Sequence, residues 1–110
     1  MEIHKLPEMT NGWFVGDFSP TALKTSEFEV AWKRHKKDEP YEVHFHKLAF
    51  EINLLVRGRM LMQDKEIVAG DIFVIGPWEV ANPVFLEDCE LIVIKTPSII
   101  GDKYIVETQA

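Results

Sequence analysis

The sequence holds a single cysteine, Cys89, so an internal disulfide is excluded and a reducing compartment is the natural reading. It has no apolar run long enough to cross a bilayer. The opening residues, MEIHKLPEMTNGW, lack the apolar core of a signal peptide. The expectation is a cytoplasmic protein with no membrane partner. Positive charge is also in deficit: 12 Lys and Arg stand against 18 Asp and Glu, a net charge of −6. That balance argues against a phosphate-tracking surface, and so against a nucleic-acid partner. The basic residues that do cluster, Lys33, Arg34, Lys36 and Lys37, run at once into Asp38 and Glu39 and read as a charged turn between strands. Internal repeats, low-complexity segments and sustained helical periodicity are missing as well.

What remains is a chain of 110 residues, 46% apolar and 27% charged, the composition of one globular domain. Its apolar runs are short and rich in β-branched residues. FEVAW alternates Phe28, Val30 and Trp32 against Glu29, Ala31 and Lys33, which predicts a half-buried strand with the apolar set inward. YEVHFH alternates too. EINLLV ends at Arg57-Gly58, RMLMQ and KEIVAGD read as a hairpin about Asp64-Lys65, and DIFVIGP and ELIVIKTP are each stopped by proline. Evenly spaced short strands predict an all-β sandwich or barrel. The one stretch with helical character is a turn around Pro20 to Thr25. Ile52, Leu54, Leu55 and Val56, and the run from Leu91 to Ile94, are apolar on both strand faces. A core this small does not cover both, so a homodimer is expected.

Within YEVHFHKLAFEINLLVRGR, His44 and His46 are one residue apart and Glu51 follows five later. On a strand, residues i and i+2 share a face, so the two imidazoles project together. The odd step to Glu51 sends it to the opposite face unless the chain bends within Lys47-Leu48-Ala49-Phe50. If it bends, two imidazoles and a carboxylate form the facial set that holds a divalent transition metal with open positions. The same rings could instead move a proton between two carbons without metal, or simply line a solvated sheet face.

The spacing H-x-H, four residues, E, six residues, G, carried by His44, His46, Glu51 and Gly58, resembles the first signature of the cupin superfamily. Asp38 stands where that signature usually opens with glycine. GDIFVIGPWEVANPVF is similar to the start of the second signature at Gly70 and Asp71, with Pro77 one place late. Trp78 replaces a common glycine, and Ala81 stands where a fourth ligand, a histidine, is usual. The resemblance covers about residues 27–96. It implies one cupin domain over residues 1–110, with flanking strands at each end, folded as a double-stranded β-helix or jelly-roll barrel and commonly dimeric. It also implies a metal (Fe, Mn, Zn or Ni) held by His44, His46 and Glu51, with Glu79, Asn82 or His35 as substitutes for the missing histidine.

A second resemblance is to the bacterial sugar-nucleotide 3,4-ketoisomerases, through His44, His46 and Lys47 and the tail FLEDCELIVIKTPSIIGDKYI. It implies acid–base chemistry by the two histidines with no metal. That group favours glutamine near Glu51, and this chain is shorter. Trp78, Asn82 and His35 are candidate pocket residues. Trp13 and Trp32 are candidates for a stacking wall, although core packing suits Trp32. Arg57 and Arg59 flank the turn glycine. Met60 and Met62 read as core filler, and Cys89, among acidic neighbours, as a poor nucleophile. Three functions stay open: a metal-holding small-molecule site of isomerase or oxygenase type; a metal-free nucleotide-sugar isomerase or epimerase; and a non-catalytic small-molecule-binding module.

Overall fold

The computed structural model describes residues 1–107. Among them are one 3-10 turn, Leu6–Glu8, and the strands β1 (Trp13–Gly16), β2 (Leu23–Lys24), β3 (Glu29–His35), β4 (His44–Phe45), β5 (Phe50–Arg57), β6 (Arg59–Met62), β7 (Lys65–Val68), β8 (Ile72–Ile75), β9 (Val84–Phe85), β10 (Cys89–Thr96) and β11 (Tyr104–Ile105). A six-stranded sheet runs β2-β1-β3-β10-β5-β8, and the other layer consists of the pair β11-β4 and the triplet β7-β6-β9. The architecture is the all-β, double-stranded β-helix expected. The sheets do not close into a continuous barrel, so that part of the expectation is corrected.

The long strands form where β-branched runs were read, and β6 and β7 make the expected hairpin. Gly58 joins β5 to β6 at φ +100°, and a Cβ there would lie 2.4 Å from the Asp88 carbonyl oxygen, so only glycine fits. Between the layers lie Ala31, Leu55, Met60, Met62, Ile75, Phe85, Leu91 and Val93. Full burial of a side chain such as Leu55, Met60 or Phe85 stabilises the fold by about 1.5–3 kcal/mol.

Three local expectations are overturned. Pro20 to Thr25 holds no helical turn but the short strand β2, parallel to β1. On β3 the apolar set does not face the core: Glu29, Ala31 and Lys33 face inward, while Trp32 lies on the outer side in a groove with Leu6, Pro7 and Met9. Alternation gives the two faces of a strand but not which is inward when the interior is polar. Lys33, read as part of a charged turn, is therefore an interior strand residue; the turn itself is confined to Lys36 through Glu39.

Register places the interior polar groups in rows. Lys95 on β10 is opposite Glu29 on β3 and Glu51 on β5. One step along, Val93 is opposite Ala31 and Asn53, and Leu91 is next, opposite Lys33 and Leu55. Trp13 on β1 is paired with Ala31.

Candidate metal centre and cavity

His44 and His46 come from the layer opposite Glu51. The backbone of His44 pairs with Ala81 in both directions, 3.2 and 2.7 Å. Each imidazole is fixed by a carbonyl: His44 Nδ1 lies 3.0 Å from the Glu42 oxygen, and His46 Nδ1 bonds the Asp102 oxygen. A carbonyl only accepts, so both Nδ1 atoms carry the proton and donate it, which leaves Nε2 as the lone-pair nitrogen of each neutral ring. Among the described residues, His46 Nε2 is buried without a partner.

The bend required by the odd spacing is present, and one distant carboxylate holds it. Asp102 accepts the backbone N–H groups of Lys47 at 2.9 Å, Leu48 at 3.1 Å and Ala49 at 2.9 Å. The chain thereby reverses directly after His46 and enters β5 with Glu51 facing back toward the imidazoles. Donor atoms of His44, His46 and Glu51 all lie within 4.8 Å of one another, and all three residues are buried. Burial pulls His44 below the usual imidazole range, and it pushes Glu51 above the usual carboxylate range against the fields of Lys95, Lys103 and Lys33. For Asp102 burial acts upward, but the three N–H donors together outweigh it and hold the carboxyl below its ordinary value.

A cavity of about 380 Å³ opens onto these donors, in the range of small-molecule sites. Ala81, buried beside His44, lines it, as the second signature implies. His35 lines it as well, but its Nδ1 is 2.6 Å from Glu39 and its ring stacks on Phe85 at 4.3 Å, outside the three-residue cluster. Two pocket candidates are corrected. Trp78 is 63% exposed and stacks on Phe45, which alternates with the histidines and so faces the other way. Asn82 is not a lining residue; its Oδ1 accepts the Gln63 backbone N–H at 2.9 Å and braces the β6–β7 turn. Glu79 accepts from Gly76 at 3.3 Å and from Gln63, which keeps it in its own turn. Lys47 projects outward over Tyr104 and Trp78. Sequence reasoning missed Asp102, Asn53, Lys95 and the inward role of Lys33. The spacing called for a bend, but nothing local pointed to residue 102.

No protein-family model matches the sequence, and no curated protein matches it. Solved structures do. A protein with a double-stranded β-helix domain from Klebsiella pneumoniae superposes with a TM-score of 0.65 at 17% identity, over 79% of this chain and 81% of that one. A cupin-2 domain protein from Shewanella frigidimarina gives 0.53 at 18%, over 66% and 72%. This chain has the cupin fold. Also on the cupin fold, the polyketide cyclase RemF from Streptomyces resistomycificus gives 0.63 at 18% identity, over 77% of this chain and 64% of that one.

Two imidazole nitrogens and a carboxylate oxygen are a donor set suited to a divalent transition metal. The partnerless Nε2 of His46, in a chain where buried polar atoms normally have partners, fits the same group. Each imidazole is also oriented through its other nitrogen, His44 by the Glu42 carbonyl and His46 by the Asp102 carbonyl.

Proposed function

We propose that this protein binds a small molecule in the cupin cavity and holds a divalent transition metal through His44, His46 and Glu51. The observation that carries this reading is the convergence of three buried donors, with His46 Nε2 left without a partner. A bound metal would supply Lewis acidity toward a ligand, or oxygen chemistry if it is Fe or Mn. The chain's own contribution is to orient the Nε2 lone pairs through the Glu42 and Asp102 carbonyls and to keep the carboxylate desolvated. The walls also limit water around the ligand.

Proton transfer by His44 and His46 without metal is the second reading. It is favoured by the closeness of the two rings, 5.1 Å between centroids, in residues that both line the cavity. A non-catalytic binding module is the third. A second copy of the chain is the proposed partner. The outer faces of β5 and β8 support it, since Leu54, Val56, Ile72 and Val74 are all exposed there. The single buried cysteine suits a cytoplasmic setting.

Elemental analysis of protein purified without added metal tests the leading reading. Stoichiometric metal that disappears in the His44→Ala, His46→Ala double variant is the expected result. Absence of metal together with turnover of keto-sugar nucleotides would transfer support to the second reading. A thermal shift on ligand addition, with neither metal nor turnover, would support the third.

A further inference from the structure

Resting on the small-molecule reading above, we propose that the ligand is a small organic anion whose charged group docks against Lys33 and Lys95, beside the Trp13 ring and the Asn53 amide. In a chain of net charge −6, the cavity is nonetheless lined by three ammonium groups, Lys33, Lys95 and Lys103. Two of them have carboxylate partners. Lys95 lies 2.8 Å from Glu29, which is itself fixed by the Ser98 hydroxyl at 2.7 Å, and Lys103 lies 3.7 Å from Glu42. Lys33 is different: its Nζ donates to the Asn11 carbonyl at 2.6 Å, and among the described residues no carboxylate pairs with it.

The two inner cations are held on one aromatic ring. Lys33 Nζ and Lys95 Nζ are each 5.1 Å from the Trp13 ring centroid. Cation–π attraction to this ring adds to the Glu29 and Asn11 contacts that hold the two like charges in place. Asn53 adds a neutral donor. It is 5% exposed, lines the cavity, and among the described residues its Nδ2 is buried without a partner. Its register position lies between the row containing Lys95 and Glu51 and the row containing Lys33. Burial, and then Lys95 and Lys103, pull Lys33 below its ordinary range, a penalty that an anion in the cavity would relieve. A ligand that fits places its charge here and its reacting or recognised portion toward His44 and His46.

Matched probes test this. Glutarate is titrated against its neutral diamide, and glycerol 3-phosphate against glycerol, by calorimetry with the full chain, both with saturating zinc and after chelation. At least one anion is expected to bind, ten times or more tighter than its neutral counterpart, and which one binds separates carboxylate from phosphate recognition. Lys33→Met should weaken that binding at least tenfold and Lys33→Arg should retain it, while zinc affinity is unchanged or slightly tighter in Lys33→Met. Equal binding of the neutral probes, parental binding by Lys33→Met, or no binding of either anion overturns the proposal. Loss of the metal reading looks different: no zinc binding by the parent, with Lys33-dependent anion binding intact.

Discussion

Asp102 lies 53 to 55 residues from the N–H groups it accepts, and its replacement tests whether a remote carboxylate shapes the metal set. Asp102→Ala leaves the N–H groups of Lys47, Leu48 and Ala49 without their acceptor. Leu48 is exposed and its N–H can turn to water, whereas Ala49 is buried and Lys47 is half-buried. Bonds to a charged acceptor are worth about 1.5–3 kcal/mol each, so the two shielded donors at the lower figure set a loss of about 3 kcal/mol. Against a total stability of about 5–15 kcal/mol, that lowers the melting temperature by roughly 12–24 °C. Asp102→Asn keeps one acceptor oxygen and should lose about half as much. The parent's Asp102 is held below its unfolded value of about 3.9, so its contribution is complete above that value and is lost as pH falls through the lower folded one. The gap between parent and Asp102→Asn should therefore be constant above about pH 5 and should close in stronger acid. Loosening the bend also moves Glu51 relative to His46, and metal affinity should fall about 10–100-fold, as for other supporting groups of metal ligands. Thermal melts from pH 3 to 7 and zinc titrations read both effects. An Asp102→Ala protein that melts with the parent and binds zinc equally well would refute the role assigned to this residue.

Ala81→His places an imidazole beside His44, on a backbone pair already facing the cavity, and should tighten zinc binding at least tenfold, about 1.4 kcal/mol; unchanged affinity in a folded variant refutes the placement. Glu51 has a raised folded value, so its charge costs stability above that value and the cost fades as pH falls through it. Glu51→Gln should accordingly melt higher than the metal-free parent at pH 7 and no higher in acid, while losing zinc binding; an equal or lower melt at pH 7 refutes the burial account. Leu54→Lys, on the exposed outer face of β5, should shift the chain from dimer to monomer in sedimentation; a monomeric parent, or a dimer that persists, removes that face as the interface.

The legible part of the site was the local part. His44 and His46 share a face because two residues separate equal orientations on a strand, and that holds wherever the strand sits. The distance to Glu51 demanded a bend, and the bend is there. Gly58 was readable for the same reason, as the end of one run and the start of the next. Trp78 was misplaced by a single step of turn geometry, with its backbone at φ +70° and its ring outside. The inward role of Lys33 was hidden by its neighbours Arg34, Lys36 and Lys37, which do belong to an exposed segment.

The illegible part depended on register between strands far apart in sequence. Glu29, Lys95 and Glu51 form one row because β10 inserts between β3 and β5, and no spacing within the chain encodes that insertion. The same inner face carries Ala31, Leu55, Leu91 and Val93 interleaved with the polar side chains, and Leu91, Val93, Met60 and Phe85 line the cavity beside them. A sheet optimised for stability alone would continue the apolar set to its end, since buried Glu51 and Asn53 each carry a desolvation cost. Glu29 and Lys95 offset theirs by pairing, while among the described residues His46 Nε2 and Asn53 Nδ2 have no partner. Residues that break the hydrophobic pattern and remain without partners are features that folds tolerate at functional sites, and among the described residues His46 and Asn53 both line one cavity, together with Lys33.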